Sequence, residues 1–314
     1  MLEIYLLGAG QATYKGKRLV GFPNQKPYKL LCILLLNLKK ILHREHMAAI
    51  LWEDYPTESA LKYLRNALWR LRKKFFENDC RIEEFLLITD ETISFDHNSN
   101  YWLDIEEFEN STLPELSLSS EELSNDLASK IGSALELYQG DLLESVYDDW
   151  CLYDRERLRL IHHNALFKLM QFYTLKGDYA LGLDYGKRLL SLDSTREKVH
   201  RQMMWLYLKS GDRGKALQQY KCCKKILREE LNLQPMQETH KLYNEIIHFS
   251  SETIQIPDLN TYILSDSKEN VYPTKQFVHS AIRKLSQLQD MISETSTELH
   301  ILERMMGHSL NQNE

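Results

Sequence analysis

The chain has 314 residues, 43 % hydrophobic and 27 % charged, with a formal net charge of −6. That is ordinary globular composition, with length for two or three domains. The charge is uneven: residues 1–74 hold 14 Lys and Arg against 5 Asp and Glu, a net of +9, which leaves −15 on the remainder. A basic N-terminal module on an acidic body can approach phosphates at one end while the other end discourages non-specific coating. Five scattered cysteines, at 32, 80, 151, 222 and 223, include no CxxC pair. They read as free thiols in a reducing, cytoplasmic setting, with no metal and no cofactor. LLCILLL (30–36) is too short to span a bilayer, and MLEIYLLG lacks the basic start of a signal peptide.

LEIYLLG (2–8) and QATYKGKRLV (11–20) read as short strands, turned at Gly8–Gly10 and Lys15–Gly16. PYKLLCILLLNLKK (27–40) starts at a proline and is apolar on more than one side, as a central helix should be. HREHMAAILWED (43–54) is a second helix, with Ile50, Leu51 and Trp52 as core candidates. Pro56 stops it, and Thr57 or Ser59 can cap the next.

That next helix, ESALKYLRNALWRLRKKF (58–75), carries the most specific pattern. Leu61, Leu64, Leu68, Leu71 and Phe75 recur at steps of three and four and form one apolar seam. Ser59, Lys62, Asn66, Trp69 and Lys73 point the opposite way, with Arg70 and Lys74 on one shoulder and Arg65 and Arg72 on the other. One face wants a core and the other wants an anion. CRIEEFLLI and ETISFD then read as a hairpin turned at Thr89–Asp90.

Three helices ending in a basic amphipathic one, followed by a hairpin, are the pattern of a winged helix-turn-helix. The second helix braces, the third presents polar side chains to base edges, and the hairpin supplies a second contact to a groove or to phosphates. The expected partner is double-stranded DNA. Ser59, Lys62, Arg65, Asn66, Arg70, Arg72, Lys73 and Lys74 are the candidate DNA-binding residues, with Lys62 and Asn66 the ones that reach base edges. Trp69 is expected to stack on the hairpin or the neighbouring domain rather than touch DNA.

Residues 112–126 (TLPELSLSSEELSND) are Ser/Glu-rich and read as linker or helix approach. From 127 to 248 the chain reads as helical, with an internal repeat. Tyr173, Gly177, Asp178 and Leu183 match Tyr207, Gly211, Asp212 and Leu217, each at an offset of 34, the tetratricopeptide period. A concave repeat surface of this kind can take a small ligand or a protein. Residues 249–274 read as an irregular connector. In 275–307, Val278, Leu285, Ile292 and Leu299 recur every seventh residue, with Leu288 and Leu302 three after the second and fourth of them. That heptad seam either pairs with a second copy of the chain, making a homodimer, or packs on its own repeat domain.

The whole resembles the Streptomyces antibiotic regulatory protein family. The motifs are IYLLG at the start, AAILWED and LRNALWRLRKKF in the second and third helices, and in the second half YQGDLLES…DDW (138–150), RERLRL (155–160), LKGDYALGLDYGKRLLSLD (175–193) and SGDRGKALQQYKCCKKILREELNLQP (210–235). The resemblance covers about residues 1–248. It implies an OmpR-type winged helix over 1–98, a linker or helix approach over 99–126, and a tetratricopeptide-like bacterial transcriptional activator domain over 127–248. It also implies a transcription regulator, usually an activator that contacts RNA polymerase, often bound as a dimer to direct repeats.

The expected fold is therefore an α+β winged helix-turn-helix, then an all-α repeat domain, then a C-terminal amphipathic helix. The competing function is a tetratricopeptide adaptor or ligand sensor whose winged helix binds protein. No Gly-rich phosphate loop, GxSxG or HExxH motif points to an enzyme, and Asp148–Asp149 reads as surface or helix-start charge.

Overall fold

The computed structural model describes residues 1–19, 25–38 and 40–248. β1 (Leu2–Tyr5), β2 (Gln11–Tyr14) and β3 (Lys17–Leu19) form an antiparallel meander. Leu2, Ile4, Ala12 and Leu19 face the core, the period-two alternation of a half-buried sheet. Lys15 and Gly16 turn β2 into β3 with φ of 49° and 75°, the left-handed pair that a two-residue hairpin needs.

α1 (Lys26–Leu36) carries Pro27 in its first turn and buries Leu30, Leu31, Cys32, Ile33, Leu34 and Leu35, so it is apolar nearly all round. β4 (Leu42–His43) leads into α2 (Arg44–Leu51), and α3 (Thr57–Phe76) packs on both preceding helices. The hairpin follows as β5 (Leu86–Ile88) and β6 (Thr92–Phe95), and β4 adds to it in the order β4-β6-β5. The Thr89 hydroxyl oxygen accepts the Thr92 N–H at 2.9 Å and closes the turn.

The chain then returns to its beginning. β7 (Tyr101–Leu103) lies parallel to β1, completing a sheet ordered β3-β2-β1-β7. It runs straight into α4 (Asp104–Leu116). The stretch 99–126, expected as linker or helix approach, is thus mostly ordered strand and helix. Ile105, Phe108, Thr112 and Leu116 recur at helical spacing and are buried, while Glu107 and Asn110 lie on its outer face. α5 (Asn125–Leu135) follows, its first turn capped by Ser124, which accepts the Leu127 N–H at 3.2 Å.

The remaining described helices are α6 (Leu152–Lys176), α7 (Tyr179–Leu192), α8 (Glu197–Lys209), α9 (Arg213–Leu231) and α10 (Gln237–His248). The 34-residue offset marks two copies of one turn. Gly177 and Gly211 sit at φ 77° and 79°, where a side chain is strained, and end the first helix of each pair. Asp178 and Asp212 then cap the second helix, accepting the N–H of Leu181 at 3.1 Å and of Lys215 at 2.9 Å. At Gly186 an added Cβ would meet Met203 Cγ at 2.9 Å, so its hydrogen is what lets α7 lie against α8.

The sheet and the helical half share a clasp. The buried Asp104 carboxylate accepts the N–H of both Leu6 and Leu7 at 2.8 Å. The loop QGDLLES answers from the other side: Leu143 N–H donates to the Leu6 carbonyl at 2.9 Å and Glu144 N–H to the Gly8 carbonyl at 3.0 Å. Arg155 holds that loop, donating to the carbonyls of Leu142, Leu143 and Val146 at 2.8, 2.9 and 2.6 Å. Asp148 is more than surface charge, because it forms an ion pair with Lys29 on α1; Asp149 does open a short 3-10 turn. The expected seam residues Val278, Leu285, Leu288, Ile292, Leu299 and Leu302 lie outside the described residues.

Candidate nucleic-acid interface

α3 is fixed by what it buries. Ala60, Leu64, Ala67, Leu68, Leu71 and Phe75 form its inner face. The expected seam ran through Leu61, Leu64, Leu68, Leu71 and Phe75, but Leu61 is half-buried at its edge, and Ala60 and Ala67 join the inner positions. The capping expectation is corrected too: Pro56 occupies the N-cap position and no side chain caps the helix, while Glu58 lies in the first turn, where a negative charge complements the helix dipole.

The opposite face is as charged as the sequence implies. Lys62, Arg65, Asn66, Arg70, Arg72 and Lys73 are exposed, and Ser59 and Lys74 are half-buried. Lys62, Arg65, Asn66 and Arg70 make no hydrogen bond or ion pair through their side chains among the described residues. Their polar heads are available to an outside anion. Arg72 differs: its Nε lies 3.1 Å from Glu83, which draws it toward the base of the hairpin and away from the presented face. From Ser59 to Lys73 the face runs about 21 Å at 1.5 Å per residue, enough to follow a groove over several base pairs.

One expectation fails here. Trp69 does not stack on the hairpin or on the helical half; it is 59 % exposed, and its recorded ring contact is the Lys73 ammonium, 5.4 Å from the centroid. The hairpin turn carries Asp90 and Glu91, both exposed, whose charge opposes a phosphate. Arg44 is held against that turn, donating to the Thr89 carbonyl at 3.1 Å. The acidic body does not engage the α3 face either: no ion pair joins the two among the described residues, and the one linking the halves starts from Lys29 on α1.

Elsewhere several titratable groups are buried in packing and hydrogen-bond contacts. His162 and His163 are buried side by side. His162 stacks on Tyr138 at 4.0 Å, and His163 Nδ1 accepts from the Arg196 guanidinium at 2.8 Å. Burial first, then the neighbouring His163 for one and Arg196 for the other, pushes both imidazoles down to about 4. Asp104 goes the other way: burial raises its carboxyl to about 6 despite the N–H groups aimed at it. Burial lifts the Cys80 and Cys223 thiols to about 12, which leaves them unreactive. Among the described residues no group of three His, Cys, Asp or Glu could hold a metal ion, and no helix is long and apolar enough to cross a membrane.

Residues 103–247 match the family model described as the bacterial transcriptional activator domain. The match begins at the end of β7, ahead of the boundary expected at 127, because α4 belongs to the helical half. The fold is similar to that of Mycobacterium tuberculosis EmbR, solved in complex with a low affinity phosphopeptide, with a TM-score of 0.63 at 18 % identity over 85 % of this chain and 69 % of that one. No curated protein matches the sequence. Residues 103–247 are thus similar to the bacterial transcriptional activator domain, and the chain shares its fold with EmbR.

Proposed function

We propose that the chain is a sequence-specific DNA-binding transcriptional regulator, with residues 1–98 acting as an OmpR-type winged helix and α3 as the helix that enters the major groove. The observation that carries this reading is the face of α3. Lys62, Arg65, Asn66 and Arg70 are exposed and unengaged on a helix whose inner side is locked by Leu64, Leu68, Leu71 and Phe75. A rigid helix with free cations and a carboxamide is what phosphate positioning and base reading require. The clasp at Asp104 and Leu143 ties this module to the activator domain, so DNA binding would place that domain at the promoter. Activation through RNA polymerase, a cytoplasmic location and the absence of catalysis complete the reading, and they come from the family resemblance and the motifs. The acidic hairpin turn shifts the expected footprint toward α3 itself.

The test is a gel-shift titration of the full chain on a pool of random-sequence duplexes, repeated for Lys62→Ala with Arg65→Ala. Retarded complexes whose affinity drops in the double variant, with folding intact by circular dichroism, support the reading. No retardation at 50 mM salt, or equal affinity in the variant, leaves the adaptor as the better account.

A further inference from the structure

We propose that Trp69 is a specificity-determining residue: its indole reads the 5-methyl group of a thymine in the major groove, one base-pair step from the adenine that Asn66 reads. The inference rests on the DNA-binding reading above and deepens it. Its starting point is a large apolar ring in the wrong place for a solvated surface. Trp69 is 59 % exposed on the presented face of α3. Its nearest neighbours along that face are Arg65, Asn66 and Lys73, all exposed.

A protein-docking aromatic is usually ringed by apolar or neutral groups that exclude water. This one has cations, Arg65, Arg70 and Lys73, along its own helix, and only its inner edge borders a shallow cavity shared with Pro27 and Tyr28. A groove offers the complement: phosphates on both walls for the cations, and base edges on the floor for the ring. On that floor the apolar group is the thymine methyl. Lys73, with its ammonium 5.4 Å from the ring centroid, holds the indole in place without covering it.

The spacing sets the register. Trp69 lies three residues beyond Asn66, about 4.5 Å along the helix axis and about 60° around it. One base-pair step is about 3.4 Å. The two side chains therefore meet neighbouring base pairs, Asn66 as a bidentate partner of adenine and Trp69 as the apolar partner of thymine.

The experiment uses the full chain. Binding sites are selected from a randomised duplex pool, and each thymine of the selected site is replaced in turn by deoxyuridine, which differs only by the missing methyl. At one thymine, beside or one step from a required adenine, the replacement should weaken binding about fourfold, the factor that corresponds to burying one methyl group. In Trp69→Ala, thymine and uracil at that position should bind alike, while Trp69→Phe should retain part of the preference. Discrimination that survives in Trp69→Ala, or no thymine that responds in the parent chain, overturns the proposal while leaving the DNA-binding reading intact. So does a fall in mass by light scattering in Trp69→Ala without any change in the thymine preference, which would assign the ring to a protein interface. If no sequence is enriched at all, both readings fall together.

Discussion

Between pH 6.5 and 4 the fold should lose stability through two buried histidines, and the loss is calculable. His162 and His163 are held neutral at about 4, against 6.5 for a free imidazole. A base whose folded value is depressed contributes stability that is complete above 6.5 and is lost as pH falls toward 4. Each shift corresponds to about 3 kcal/mol. Asp104 opposes them in the same window. Its carboxyl rises from 3.8 to about 6, so the folded state binds a proton that the unfolded chain releases. Its contribution is complete below 3.8 and lost as pH rises through 6, about 3 kcal/mol in the opposite sense. The net expectation is a fall of about 3 kcal/mol on acidification from pH 6.5 to 4. Urea unfolding at half-unit pH steps measures it. His163→Gln removes one titrating group while keeping an oxygen acceptor for Arg196, and it should cancel most of the fall. Asp104→Asn should make the fall steeper. The same acid profile in His163→Gln and the parent would refute the reasoning, since it would place the acid sensitivity elsewhere.

The other predictions concern the interface. Asn66→Ala should relax preference at one base pair by about 1–3 kcal/mol and leave random-DNA affinity nearly unchanged in competition assays; equal losses on both DNAs would refute that role. Arg70→Ala should weaken all sequences alike and lower the slope of log affinity against log salt by about 1; a sequence-dependent loss would make it a base reader instead. Neutralising the hairpin turn with Asp90→Asn and Glu91→Gln should raise affinity and steepen the salt dependence, whereas a drop would mean the acidic turn is itself a contact. Deleting residues 275–314 should halve the mass measured by light scattering if the heptad positions pair two chains, and an unchanged monomer would rule out that pairing.

What could be read in advance follows the physics of each element. α3 was legible because burial on a helix imposes steps of three and four, and its free cations occupy what the seam leaves over. The paired turns at Gly177–Asp178 and Gly211–Asp212 were legible because a left-handed glycine followed by a capping aspartate has few substitutes. α4 was hidden because its outer face carries Glu and Asn, its last turn holds Pro114, and composition alone resembles a linker. The clasp was hidden for a different reason. Asp104 reaches Leu6 and Leu7 across nearly a hundred residues through backbone N–H groups, and such a contact has no periodic signature. For Trp69 the helical period shows the face but not the lack of cover. An exposed tryptophan is costly enough to suggest packing, and only the geometry shows that neither the hairpin nor the helical half covers it.

The central claim is that the exposed face of α3 selects DNA sites in the cell. Chromatin immunoprecipitation of the tagged full chain, run beside a Lys62→Ala, Arg65→Ala, Asn66→Ala variant expressed at the same level, addresses it most directly. The account predicts discrete peaks that share a short motif containing an A·T pair, absent in the variant. Peaks that persist unchanged in the variant, or no peaks in the parent, would contradict it.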